Sequence, residues 1–332
     1  FLFWSDFVDS PKHDQNQTKI IKNEQIKNKK LDSGLVPSIN NSNIEQKISR
    51  DKSIEKTKRV LLENSKIKGS ISLEGALIDD LSFKSYREDL KTNKSVVFLN
   101  PKETENGYFI ESGWASIGNK IKVPNNKSIW NVRGNNILTN KNPVILEWNN
   151  DTGLIFRKKI TLDDNYLFKV YQEIENRSSK KVELYPYAQI TRNKKPKDLQ
   201  DFFILHEGFI GVLDEELEED GYKDIEEKKV TREANKGWIG ITDKYWMTAL
   251  VPESGENFKS TFLYQDVYKA NFLLNKPKII EPSSKTSTEI KIFVAAKEVR
   301  TIDAYAENEK IEKLDLIIDW GWFYFFTKPL FF

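Results

Sequence analysis

The strongest constraint on this chain is an alternation of apolar and polar residues that begins near Ile67 and recurs, segment after segment, almost to the end. Phe168, Val170 and Ile174 fall on one parity, and Lys169, Tyr171, Glu173 and Glu175 on the other. Val182, Leu184, Ala188 and Ile190 repeat the pattern, as do Ile290, Ile292, Val294 and Ala296 against Glu289, Lys291 and Phe293. A period of two sends successive side chains to opposite faces of a strand, so each segment has one apolar face. Residues 96–99, 144–148, 154–162, 239–241, 246–251 and 259–264 read as further strands. Turn-forming clusters such as Asn149, Asn150, Asp151 and Asp163, Asp164, Asn165 separate them. Many half-buried strands at short spacing, with no helices between them, predict antiparallel sheets stacked as a sandwich. The spacing predicts a sandwich over residues 66–297, larger than an immunoglobulin domain.

The period changes near Lys297. Val299, Ile302, Tyr305 and Ala306 follow a helical spacing, with Ile311 and Leu314 beyond them. This predicts one short amphipathic helix on the sandwich and an extended stretch over 314–318, within a C-terminal segment spanning residues 298–319. Residues 9–65 are rich in Lys, Asn, Gln and Ser, with isolated Ile residues that make no stripe. Such a segment buries too little to offset its ordering entropy and is expected to be a disordered linker. Its ~50 residues would reach roughly 40 Å as a coil. It is also the basic part of the chain: residues 10–60 hold 12 Lys/Arg against 6 Asp/Glu, while the whole chain has a net charge of +2. That balance gives no reason to expect a nucleic-acid partner.

Both ends have a different character. Residues 1–8 include Phe1, Phe3, Trp4 and Phe7, and no initiator Met precedes them. They suit either the interfacial end of a membrane span or a buried strand end, and the chain is expected to begin inside a longer protein. Residues 320–332 hold eight aromatics, among them Trp320, Trp322, Phe323, Tyr324, Phe325 and Phe326. A helix there would be apolar almost all round, which suits a bilayer interface or a protein contact, and Pro329 would end or kink it. These six aromatics are the candidate membrane-interface and partner residues. No internal apolar run reaches the ~18 residues of a span.

Candidates for chemistry are few. With no Cys and two His, thiol catalysis, Cys-ligated metals and disulfides are excluded. His206 and Glu207 could in principle form an acid–base pair, but neighbours on a strand point to opposite faces; His13 lies in the linker. The acidic run 214–220 lacks the ordered spacing of a calcium loop and is expected to be a solvated loop. Gly113, Gly118, Gly134 and Gly153 form no phosphate loop, and no Gly-x-Ser-x-Gly is present. The expectation is therefore no catalytic residue, no metal and no cofactor. The Trp and Tyr content suits a sugar-stacking face as well as a sandwich core.

Several blocks resemble one family, the YidC membrane protein insertases, in an alphaproteobacterial style. They are residues 70–81 (SISLEGALIDDL), 84–88 (KSYRE), 153–157 (GLIFR), 185–187 (YPY), 204–212 (ILHEGFIGV), 237–246 (GWIGITDKYW), 314–322 (LDLIIDWGW) and 328–331 (KPLF). The blocks occur in order over residues 65–332, and the Asp319–Trp322 and Pro329–Phe331 strings are the most specific. The resemblance implies the large periplasmic domain between the first two transmembrane helices. Residues 1–8 would then end the first helix, and residues 320–332 would open an interfacial amphipathic helix leading to the second. It implies a mainly β fold, an antiparallel β-supersandwich of the galactose mutarotase-like kind with a helical C-terminal segment. The insertase core would lie beyond Phe332. It further implies a non-catalytic role assisting insertion and folding of inner-membrane proteins. The expected partners are the inner membrane, nascent membrane proteins, the Sec translocon (SecYEG) and SecDF. The sugar-active relatives of that fold use His and carboxylates in a cleft, for which only His206 is available here. The alternative reading is a periplasmic binding module that holds an extended polypeptide or a glycan in a sandwich cleft.

Overall fold

The computed structural model describes residues 47–318, apart from 90, 92, 198 and 200–205. The expectations for residues 1–46, and for Trp320, Trp322, Phe323, Tyr324, Phe325 and Phe326, lie outside the described residues. Helix α1 (Arg50–Lys56) leads into β1 (Arg59–Glu63), β2 (Ile67–Ser72), β3 (Leu77–Arg87), β4 (Ser95–Leu99), β5 (Tyr108–Ala115), β6 (Asn131–Arg133), β7 (Ile137–Leu138), β8 (Val144–Asn149), β9 (Leu154–Leu162), β10 (Leu167–Asn176) and β11 (Val182–Arg192). Then come β12 (Gly208–Leu213), β13 (Glu216–Gly221), α2 (Tyr222–Glu227), β14 (Val230–Ala234), β15 (Gly237–Thr242), β16 (Trp246–Val251), β17 (Phe258–Gln265), β18 (Val267–Leu274), β19 (Lys278–Ile280), β20 (Ser284–Ala296) and α3 (Val299–Asn308), followed by a 3-10 turn at Leu314–Ile317.

The strands form two sheets. The first runs β14-β17-β18-β11-β5-β3-β2-β1-β7, with β19 beside β11 and β4 beside β3; the second runs β13-β12-β15-β16-β20-β10-β9-β8-β6. The pairings are antiparallel except the short β1–β7 contact. The fold is therefore the expected mainly β antiparallel sandwich with a short C-terminal helix. Inward positions fill one apolar core: Phe156, Phe168, Phe209, Phe262 and Phe272 are all at or below 1% exposure. The strands expected over 154–162 and 246–251 match β9 and β16 to the residue.

Three expectations are corrected. The sheet starts at Arg59 and not at residue 66. β1 presents only Val60 and Leu62 inward, too few for a periodic signal. Ahead of it, α1 buries only Ser53 and is held by polar contacts, Arg50 to Asp80 and Ser53 to Glu103 (2.9 Å). The acidic run is not a loop beyond its turn at Asp214 and Glu215: Glu216–Gly221 is edge strand β13. Arg232 of β14, the edge of the other sheet, meets Glu218 (2.9 Å) and Asp220 (2.7 Å). The charges guard an edge that would otherwise invite pairing. Finally, residues 314–317 of the expected extended stretch 314–318 are not extended. Lys313 takes a left-handed φ of 51° and starts a 3-10 turn that buries Leu314 and Ile317, three residues apart and on one side.

A β-bulge between Ser70 and Ile71 shapes the outer face of the first sheet. A bulge sets two residues against one, so the neighbours Asp79 and Asp80 are both buried on the side where Arg59, Arg50 and Ser70 lie. The strands approach closely there: a side chain at Gly69 would come within 1.9 Å of the Asp80 carbonyl oxygen.

Candidate functional site

The outer face of the second sheet carries the C-terminal segment. On β10 and β20 the outward parity, Lys169 with Lys291 and Leu167 with Phe293, stands opposite α3. Phe293 meets the Tyr305 ring edge-on at 5.0 Å. Val299, Ile302, Tyr305, Ile311, Leu314 and Ile317 are buried. As far as Leu314 this apolar stripe is the one the sequence spacing predicts, Ile317 joins it through the 3-10 turn, and it lies on a sheet face.

Polar contacts fasten the segment at four levels. At its start, Glu298 accepts hydrogen bonds from Lys66 Nζ (2.9 Å), Tyr86 OH (3.0 Å), Tyr166 OH (2.7 Å) and Thr301 Oγ1 (3.0 Å). Two helix turns further, Tyr305 OH donates to Asp163 Oδ2 (2.5 Å) and accepts from the Tyr166 backbone N–H (2.9 Å). At the end of α3 the two Glu309 carboxylate oxygens meet Lys169 Nζ and Lys291 Nζ, each at 2.9 Å. Beyond it, Trp238 Nε1 donates to the Glu312 carbonyl (3.1 Å), and Lys236 pairs with Glu312 (3.0 Å) and Glu215 (2.7 Å). Burial pulls the Glu298 carboxyl up, but hydrogen bonds from Lys66, Tyr166, Thr301 and Tyr86 outweigh it and hold it below the ordinary range. Glu309 shows the same balance, with Lys169 and Lys291 prevailing over burial. The arrangement is a brace: residues 298–317 cannot turn on the sheet without breaking charge-assisted contacts.

A second feature is a groove of about 730 Å³ at the end of the sandwich where α3 begins. Phe98, Tyr108, Tyr245, Trp246, Lys244 and Arg192 are among its walls. Arg192 closes β11, and Asp243 sits in the β15–β16 turn; they pair at 2.6 Å with side-chain exposures of 12% and 11%. Arg192 also donates to Tyr222 OH (3.1 Å) and lies 4.6 Å from the Tyr108 ring centre. Trp246 stacks on Phe83 at 4.7 Å.

The structure does not bring His206 and Glu207 to one task. The His206 ring is 2.8 Å from the Phe209 carbonyl, while the Glu207 carboxylate accepts the Lys244 backbone N–H (2.9 Å) and lines the groove. Among the described residues no cluster of His, Cys, Asp or Glu has the makings of a metal site, and no helix is long and apolar enough to cross a membrane. The brace residues escaped the sequence reading because no local spacing joins them: Lys66, Tyr86 and Tyr166 reach Glu298 across 232, 212 and 132 positions. Only the isolated polar residues at inward strand positions carried a sequence signal. Lys158 stands between Phe156 and Ile160, and Gln172 between Val170 and Ile174.

Comparison with known proteins gives a consistent match. The YidC periplasmic domain family model covers residues 59–332. A membrane protein insertase YidC of Pelagibacter ubique is 45% identical over 313 residues, spanning 94% of this chain and 56% of that protein. Its counterpart in Mesorhizobium japonicum is 37% identical over 306 residues (90% and 50%), and that of Rickettsia rickettsii 38% over 339 residues (99% and 59%). The chain spans about half the length of the curated relatives it matches. Among solved structures, a galactose mutarotase related enzyme from Lactobacillus acidophilus aligns with a TM-score of 0.49 at 11% identity, over 72% of this chain and 98% of that one. A galactose mutarotase-like protein from Lactobacillus casei gives 0.49 at 12% identity (71% and 100%).

Proposed function

The chain belongs to the YidC periplasmic domain family, and on that premise we propose that it is the periplasmic, non-catalytic part of a membrane protein insertase of the bacterial inner membrane. In this reading it assists insertion and folding of nascent membrane proteins by position, alone or with the Sec translocon and SecDF. The observation that carries the reading is the brace. A segment fastened at Glu298, Tyr305, Glu309 and Glu312 moves with the sheet as one body. In this reading the brace fixes where the chain leaves the sheet at Ile318. Trp320, Trp322, Phe323, Tyr324, Phe325 and Phe326, directly after the brace, are the proposed membrane-interface or partner residues. The test uses the full-length protein in membrane vesicles. Deleting residues 59–297 is expected to leave more insertion than replacing the six aromatics with Ser. Abolished insertion in the deletion, with the aromatic variant unaffected, would overturn the reading.

The groove favours a second reading, in which the same domain holds an extended polypeptide or a glycan against Tyr108, Tyr245 and Trp246. Titrating the chain with extended peptides and with oligosaccharides, followed by Trp fluorescence, separates the two. A response lost in Trp246→Ala supports the binding module, and a flat response to both ligand classes rejects it.

A further inference from the structure

Three polar side chains that neither the brace nor the groove uses meet between the sheets in surroundings that ought to exclude them. Gln172 points inward from β10 and is wholly buried, yet neither its Oε1 nor its Nε2 has a protein partner. The indole Nε1 of Trp130, at 3% exposure, is likewise without one. Lys158, one strand away on β9 and 3% exposed, donates to the Ser112 carbonyl (2.6 Å) and sits 5.0 Å from the Trp130 ring centre. All three line one small gap, together with Ser112, Gly113 and Tyr187. The gap lies along β5, which pairs with β3 only at Ile78 and Ile110 and leaves the sheet open beyond them.

A buried amide or indole N–H without a partner costs about 1–3 kcal/mol, and native proteins rarely leave several together. Room for a water molecule in the gap amounts to about 10 Å³, and one buried water needs roughly 10–15 Å³ on that measure. The chemistry of the groups fits the same guest. Water offers two O–H donors and two lone pairs; Gln172 Oε1 needs a donor, while the Trp130 and Gln172 N–H groups need acceptors. A carboxylate or phosphate would be too large. A halide would satisfy the N–H groups and leave Gln172 Oε1 without a donor.

We propose that this gap is a buried site for one structural water, which accepts from Trp130 Nε1 and donates to Gln172 Oε1 beside the Lys158–Ser112 contact, so tying β10 to the residue that precedes β6. Crystals of the chain test it, grown with chloride and then soaked in bromide. The expected result is a single, fully occupied oxygen peak within hydrogen-bond distance of Gln172 and Trp130, with no anomalous signal after the soak. In solution, the Trp130 indole proton should show a nuclear Overhauser contact to a long-lived water. Gln172→Leu should weaken that contact at least several-fold, and Trp130→Phe, which keeps the ring beside Lys158, should remove the signal and so assign it. An anomalous bromide peak in the gap overturns the proposal in favour of an anion site. A dry gap, or an indole contact unchanged in Gln172→Leu, also overturns it. Should Gln172→Leu fail to fold, the crystal of the unaltered chain decides alone.

Discussion

Each sheet has a cover on its outer face, and the two covers are built on opposite principles. Over the second sheet, α3 and the turn after it bury an apolar stripe, and their charges sit at the margin, half exposed and multiply paired. Over the first sheet, α1 and the 100–107 connection close on carboxylates. Asp79 and Asp80 are under 6% exposed, with Arg59 and Arg50 as their cations, and Glu111 is 4% exposed with Gln189 donating to it (3.1 Å). The electrostatic consequence is opposite in sign. Burial pushes Asp79 up to about 6 despite Arg59, and pushes Glu111 up to about 7 despite Lys158 and Lys269. Glu298 and Glu309 are held low by their partners. Raised carboxyls favour folding at acid pH and lose that contribution as pH rises through their folded values. Lowered ones contribute above the ordinary carboxylate range and lose it as pH falls. One molecule thus carries a brace that weakens in acid and a lid that weakens toward neutrality and above.

The largest effect should come from breaking the polar cover. Arg59→Met leaves Asp79 buried without its cation, and removing one partner of a buried pair costs about 3–5 kcal/mol. Urea denaturation is the measurement, and a loss below ~1 kcal/mol would show that water already reaches Asp79. Next is the hub of the brace. Glu298→Ala deprives Lys66, Tyr86, Tyr166 and Thr301 of a shared acceptor, and the expected loss is ~2–3 kcal/mol. Amide hydrogen exchange locates it: protection should fall across residues 299–317 and hold in β16 and β20. Uniform loss across both sheets would mean that the brace is no separate unit.

How much of this could be read from the chain follows the same division. The helical part of the apolar cover was legible, since Val299, Ile302 and Tyr305 repeat with the helical period and the sheet below alternates cleanly; the 3-10 turn after it was not. The polar cover was not. Helix α1 buries one serine, the bulge at Ser70 and Ile71 breaks the alternation that would have located Asp79 and Asp80, and the ion pairs join residues 20 and 30 positions apart. Apolar burial imposes a period on sequence, whereas a buried ion pair imposes only a distance in space. Edge strand β13 was misread for a related reason: its residues are chosen for charge at an exposed edge, so its outward composition hides the strand.

The third effect tests the sign of the pH dependence. Glu111→Gln keeps an acceptor for Gln189 and removes the titration. Relative to this variant, the unaltered chain should lose ~2 kcal/mol between pH 5 and pH 8, as the buried carboxyl gives up its proton near pH 7. Thermal melts of the two proteins across that range measure it, and parallel curves would show that Glu111 is already charged when folded, with Lys158 or Lys269 as its counter-ion.

The smallest effect separates packing from polarity within the brace itself. Tyr305→Phe keeps the ring against Phe293 and removes the hydroxyl that joins Asp163 to the Tyr166 N–H. One net hydrogen bond is worth ~1 kcal/mol, and the orphaned Tyr166 N–H adds to the loss only if water cannot reach it. If the apolar stripe holds α3 in place, the variant should melt a few degrees lower and keep near-native exchange protection in residues 299–308. If polar fastening is what positions the helix, the same change should release it, and protection should fall as far as in Glu298→Ala. In that case the contrast between the two covers would reduce to one rule, with ion pairs and hydrogen bonds holding both and the apolar stripe of α3 only filling space.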